Sequence, residues 1–341
     1  MAATIVDVAR RAGVSTATVS RVMSGAAIAR PATRERVLAA VRELDYSPSA
    51  VARALKRRET RTLGLLVTDI ANPFFPLVVR AVEDEAHARG YGVVFGNAAD
   101  DPERELAYLD LLLERRVDGL IVASARATRR HAERLARVPV PVVLLNSDAP
   151  GAGDLPSIST DHRLGGRLAA EHLLLLGHRA LAHVTAPTGH AAAAADRRRG
   201  IEDALVAAGL DPASLLVVDG GGTVEGGAEA VPTLLDATPR PTAVVGFNDL
   251  TAIGLLRGLR AAGLHVPDDM AVVGFDDIEL AAWTDPPLTT VRQPTEELGR
   301  WAVTRIADAL ADPDRPPGVA RVVLEPTLVV RATTAPPHGT V

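Results

Sequence analysis

No cysteine occurs in this chain, which excludes disulfides, thiol catalysis and cysteine-bound zinc from any account of it. Aromatic residues are almost as rare, at 3%, so the apolar 47% is mostly Ala, Val and Leu. No apolar run reaches the roughly 20 residues that span a bilayer, and no basic-then-apolar leader opens the sequence. The expectation is a cytoplasmic protein with no membrane contact. Signatures of catalysis are missing too. GGGTVEGG is glycine-rich but lacks the Lys-Ser/Thr of a phosphate loop, and no GxGxxG opens a helix after the first strand pattern. His172, His178, His183 and His190 fall at no compact ligand spacing. Neither a catalytic residue nor a metal or other cofactor is expected.

What is present is a charge split. Residues 1–62 hold 12 Lys and Arg against 5 Asp and Glu, whereas the rest of the 341-residue chain holds 25 against 37. A small basic head on a large acidic body points to a head that meets a polyanion and a body with another task. The length is also too great for one typical core. Three short helical patterns fit the head, over 4–11, 15–23 and 31–44. Thr4 with Asp7 has the spacing of a capping box, Gly13 breaks the first pair, and Pro31 suits the first position of the third helix. The second of these, VSTATVSRVMSG, carries apolar Val14, Val19, Val22 and Met23 at helical spacing. Its other face offers only short hydroxyls, a methyl and one long cation.

SPSAVARALKRRET then reads as a linker that becomes helical on contact. From Leu63 onward, short apolar runs alternate with amphipathic stretches. LGLLVTDI, YGVVFGN, VDGLIVAS, VPVVLLN, LAHVTAP, TAVVGFND and MAVVGFDD each read as a buried strand, with about ten strands in all. Strand and helix in alternation imply parallel, doubly wound sheets in two lobes. In such sheets ligands bind beyond the strand ends, and LGLLVTDIANPFF sets Asp69, Asn72, Phe74 and Phe75 just past the first. Amides and carboxylates suit sugar hydroxyls, and rings suit their C–H faces. Taken singly, each of these polar residues could equally be a helix cap or a turn residue.

These stretches, with TRERVLAAVRELDYSPSAVARAL, DIANPFF, GFNDLTAIGLL, VVGFDDIEL and PPLTTVRQP, resemble the LacI/GalR family of bacterial transcription regulators over essentially the whole chain. The resemblance implies a small all-α helix-turn-helix headpiece at 1–46 and a hinge helix and linker at 47–62. It implies an α/β two-lobed domain at 63–341, similar to periplasmic binding proteins, with two doubly wound parallel sheets. The lobes would span about 63–160 and 161–290, with crossovers near 160, 290 and 320. It further implies a homodimer on a pseudo-palindromic double-stranded DNA operator, switched by a small-molecule effector, most commonly a carbohydrate. A nucleobase is the alternative effector; a sugar-binding protein or an enzyme without DNA control are rival classes.

By the same resemblance Thr16, Ala17 and Arg21 read bases in the major groove, while Ser15, Thr18, Ser20 and Thr4 make positioning contacts. Ser49 caps the hinge helix, Ala52 lies on it, and Leu55 wedges into the minor groove. Asn146, Arg197, Asn248, Asp276 and Gln293 join Asp69, Asn72, Phe74 and Phe75 at the effector cleft, and Asp249 and Asp277 read as caps. The sequence departs from the family in four places, the first being Ser49, where the family has an asparagine. Arg30 stands where a capping serine usually opens the third helix, and is expected to supply a phosphate contact. Gly222 replaces a common cleft aromatic, and GHAAAAADRRRG is bare of polar contacts, which allows a roomier site.

Overall fold

The computed structural model describes residues 3–23, 30–46, 59–123, 129–147, 155–186, 191–312, 318 and 320–337. The chain divides into two compact units, 1–60 and 61–341.

In the first unit, α1 (Ile5–Ala12) starts at a reciprocal cap: the Asp7 amide donates to Thr4 Oγ1 at 3.4 Å, and the Thr4 amide donates to Asp7 Oδ2 at 3.0 Å. Gly13 ends the helix at φ +62°, a conformation that glycine adopts without a Cβ penalty. Helix α2 (Thr16–Met23) follows, opened by Ser15, whose Oγ accepts the Thr18 amide at 3.2 Å. Helix α3 (Pro31–Glu43) begins on proline, where the missing N–H costs nothing. Val8, Val19, Val22 and Val37 form the small core with Ala9, Ala12 and Ala40. An Arg11–Glu43 ion pair at 2.8 Å ties the first helix to the third.

The second unit holds two six-stranded sheets. The first comprises β1 (Thr62–Val67), β2 (Gly92–Asn97), β3 (Gly119–Ala123), β4 (Val142–Leu145), β5 (Ser157–Thr160) and β11 (Arg321–Leu324). Its order is β11-β5-β4-β3-β1-β2, all parallel. The second comprises β6 (Leu181–Thr185), β7 (Leu216–Asp219), β8 (Ala243–Gly246), β9 (Ala271–Asp276), β10 (Thr289–Arg292) and β12 (Thr327–Val329). Its order is β12-β10-β9-β8-β6-β7, with only the β10–β12 pair antiparallel. The chain changes sheet after Thr160, after Arg292, and between Leu324 and Thr327.

Two expectations need correction. YGVVFGN is not a buried strand: β2 lies at the sheet edge with Phe95 48% exposed, because among the described residues nothing pairs with its outer side. There are twelve strands among the described residues rather than about ten; SIST, LVVD, TTVR, RVVL and TLV are too short or too polar to stand out as apolar runs.

Close helix packing fixes the second lobe. Helices His162–Leu175 and Ala191–Ala207 cross at Gly166 and Gly200, where a β-carbon on Gly200 would lie 1.9 Å from the Arg163 carbonyl. On the first sheet, helix Thr295–Ala311 meets helix Phe74–Ala88 at Gly299, whose β-carbon would fall 2.6 Å from that of Ala81. Each sheet therefore has at least one seam that no side chain larger than hydrogen fits.

Candidate functional site

The head presents the face that the sequence suggested. On α2, Thr16, Ala17 and Arg21 are exposed, Thr18 and Ser20 are half-buried, and Val19 and Val22 are buried. Arg21 lies along its own helix, its Nε donating to the Ala17 carbonyl at 3.4 Å. Thr4 and Ser15 are exposed but engaged as caps, and Arg30 is an exposed N-cap without a side-chain bond. Ser49, Ala52 and Leu55 lie outside the described residues, and with them the expected hinge helix.

Parallel strands deliver their carboxyl ends to one side, and here β1, β4, β8 and β9 all end on one cavity of about 400 Å³. The structure brings all nine sequence-derived cleft residues to its wall: Asp69, Asn72, Phe74, Phe75, Asn146, Arg197, Asn248, Asp276 and Gln293. Several have work within the protein. Asp69 Oδ1 accepts the Ala71 amide at 3.1 Å and Asn72 Oδ1 accepts the Phe74 amide at 3.0 Å, which shapes the turn into helix Phe74–Ala88. Phe74 and Phe75 meet edge to face at 5.4 Å.

Gln293 sits where the chain recrosses to the first sheet, and both ends of its amide are bound. Its Oε1 accepts from Asn146 Nδ2 at 3.0 Å and from Thr160 Oγ1 at 2.8 Å, while its Nε2 donates to Asp276 Oδ1 at 2.7 Å. Asn146, at φ +45°, in turn accepts the Thr160 amide at 2.7 Å. One side chain thus joins the ends of β4 and β5 to the end of β9.

Arg197 is the buried cation of the cleft. Its guanidinium carbon lies 3.6 Å from the ring centre of Phe275 and 4.5 Å from that of Phe247. Nη1 donates to the Phe247 carbonyl, Nη2 lies 3.4 Å from His162 Nδ1 and 3.9 Å from Asp276 Oδ1, and Nε is buried without a partner. Burial pushes Arg197 down to about 10 against the opposing pull of Asp276 and Asp249. Burial pushes Asp276 up, with Arg197 opposing and Asp249 adding to the rise. His162 is held neutral, well below its usual range, by burial and then by Arg197.

The two expected caps are not caps. Asn248 takes that role for helix Asp249–Ala261, its Oδ1 accepting from the Thr251 amide at 2.8 Å and from Thr251 Oγ1 at 2.9 Å. Asp249 is wholly buried and accepts from Thr290 Oγ1 and the Ile278 amide. Asp277 is paired by Arg292 and Arg331, each at 2.6 Å.

Sequence reasoning missed Phe247 and His162. A signal existed for the first. VVGF occurs twice, and β8–β9 register pairs Val245 with Val273, so Phe247 and Phe275 stand at matching places on adjacent strands. A β-carbon at 222 would make only ordinary contact with Phe247, 3.5 Å from its ring, so the backbone angle and not crowding favours glycine there. Gly222 itself sits at φ +72°. His162 follows a helix cap, Asp161, and nothing in its neighbourhood in sequence pointed to the cleft.

Among the described residues no group of His, Asp or Glu could hold a metal ion, and no helix is long and apolar enough to cross a membrane.

The family model described as bacterial regulatory proteins, lacI family, matches residues 4–49, and the periplasmic binding protein-like domain matches 170–334. The ribose operon repressor of Escherichia coli (strain K12) is 40% identical over 312 residues, 91% of this chain and 94% of that repressor. The crystal structure of the lac repressor dimer bound to operator and the anti-inducer ONPF matches with a TM-score of 0.87 at 31% identity, covering 98% of this chain and 100% of that one. The LacI family regulator of Enterococcus faecium with bound ribose matches with a TM-score of 0.72 at 32% identity, covering 81% and 99%.

Proposed function

The chain belongs to the LacI family of bacterial regulatory proteins, and from that premise we propose that it represses carbohydrate-utilisation genes from a pseudo-palindromic operator under control of a sugar bound in the cleft. It is a DNA-binding transcriptional regulator and not an enzyme. It works as a homodimer in the cytoplasm, each head reading one half-site. Thr16, Ala17 and Arg21 read bases; Thr4, Ser15, Thr18, Ser20 and Arg30 position the head on phosphates. Leu55 opens a central base step of the operator, and Ser49 and Ala52 contact the DNA beside it.

The observation that carries the effector half is the meeting of Arg197, Asp276 and nonpolar Phe75 on one cavity of about 400 Å³. A carboxylate and a guanidinium grip hydroxyls, and a ring packs on a sugar's C–H face. The sugar favours one arrangement of the lobes over another, and that difference is felt reciprocally at the DNA, typically as about 1–3 kcal/mol. A thermal-shift screen of the full chain against sugars and nucleobases tests this, since a ligand at a hundred times its dissociation constant adds about 2.7 kcal/mol. A sugar hit that also changes operator affinity is the expected result. A nucleobase hit, or none, overturns the sugar reading.

A further inference from the structure

Resting on the cleft reading above, we propose that His162 is a contact of the effector, its ring held as the Nε2–H tautomer so that this hydrogen is donated to an oxygen of the bound molecule. Arg197 has only N–H groups to offer. Where its Nη2 lies 3.4 Å from His162 Nδ1, the imidazole nitrogen is therefore the acceptor. A neutral ring that accepts at Nδ1 carries its hydrogen at Nε2, and a second proton would set N–H against N–H. Arg197, from helix Ala191–Ala207, is the charge that bears on the ring, with Asp276 of β9 beyond it at 3.9 Å from the same Nη2. Burial and then Arg197 keep the ring neutral.

That hydrogen is presented to the cavity. His162 lines it and is half-buried, and its place is fixed at the start of helix His162–Leu175, where the Asp161 cap takes the Leu164 amide at 2.8 Å. Among the described residues no group is bonded to Nε2, and this nitrogen is not sealed from solvent. His183 shows the contrary case: its Nδ1–H is donated to the Val245 carbonyl at 2.9 Å, which leaves Nε2 as an acceptor shut inside the second lobe. The two imidazoles thus hold opposite tautomers, each set by its partner, and of the two His162 is the one on the cleft wall. A donor at His162 and an acceptor at Asp276 flank one guanidinium nitrogen, which matches a ligand whose oxygens both give and take hydrogen. A donor fixed in this way also rejects a molecule with no oxygen to meet it, because the N–H is then left unpaired.

The test is calorimetric titration of the full chain with D-ribose and with D-glucose, on the wild type and two variants. Asparagine sets its amide where Nδ1 lies and keeps an acceptor for Arg197, whereas glutamine sets its amide where Nε2 lies and keeps the donor. The expected result is that His162→Asn binds the sugar at least about tenfold more weakly and that His162→Gln restores affinity to within about threefold of the wild type. The reverse order would make His162 a support for Arg197 alone and overturns the inference, as does equal loss in both variants or no loss in either. Nitrogen NMR of the full chain labelled with 15N-histidine, with His162→Gln identifying the signals, reads the tautomer without any sugar. The hydrogen should be on Nε2 and the ring should not titrate between about pH 5 and about pH 8. A hydrogen on Nδ1, or a titrating ring, overturns the inference and leaves the sugar reading standing. If neither sugar binds the wild type, the sugar reading falls and this inference falls with it.

Discussion

Gly166 and Gly200 face each other across two helices so closely that a β-carbon on Gly166 would lie 2.0 Å from the Arg197 carbonyl. The residue whose backbone forms that contact is the one whose guanidinium enters the cleft. Packing and ligand grip are therefore set at one point of one helix. Gly200→Ala must push the helices apart, and overpacking of this kind costs about 1–3 kcal/mol. The thermal midpoint should drop by several degrees, and sugar affinity should fall with it because Arg197 shifts. Melting curves and titration of the same sample check both.

Arg197→Lys keeps the charge and loses the planar group that lies against Phe275 and Phe247. Lysine cannot donate to the Phe247 carbonyl and lie flat on two rings at once. Sugar affinity should fall by about tenfold to a hundredfold, while operator binding without sugar stays intact. Equal loss of both would mean that the cleft and the head are not separable.

Asp276 carries the pH prediction. Its carboxyl is raised above the ordinary 3.8, first by burial, so over the interval above that value the folded chain holds a proton that the unfolded chain releases. Its contribution to stability is thus greatest at low pH and falls as pH rises. His183 opposes this: burial pushes it down to about 4, so between that value and 6.5 the unfolded chain takes the proton and stability rises with pH. Asp276→Asn isolates the first effect. Between about pH 5 and about pH 8, the urea midpoint of the wild type should fall relative to that of the variant.

Arg21→Ala should remove about 1–3 kcal/mol per half-site from specific operator binding, and much less from binding to unrelated DNA. Gel-shift titrations on operator and random duplexes give the ratio. An equal loss on both would make Arg21 a phosphate contact.

The amino-acid order revealed the cleft because parallel strands end together. LGLLV is followed by Asp69, VVLL by Asn146 and VVGF by Asp276, and once the sheets are parallel these polar ends must converge. What each side chain does there was less legible. Asn248 and Asp249 are adjacent and both polar, yet one caps a helix while the other is buried against Thr290, a residue 41 positions away. Contacts of that range leave no local pattern. Phe95 misled for a related reason: apolar character says that a residue favours burial, whereas its exposure follows from β2 having no outer neighbour. The short strands SIST and TLV went unread because a strand of three or four residues takes its shape from the neighbours it pairs with.

The threefold passage between the sheets has a consequence for how the molecule is made. The first sheet lacks both its covering helix, Thr295–Ala311, and its last strand, β11, until five of the second sheet's six strands, β6 to β10, have been synthesised. At ordinary translation speeds that interval is on the order of 10–30 s. Through it, the apolar seam where Gly299 will later meet Ala81 is open. The amino-terminal half of the body is synthesised early and completed late, so cells that halt translation between the two crossings should accumulate a chaperone client and not a free-standing lobe.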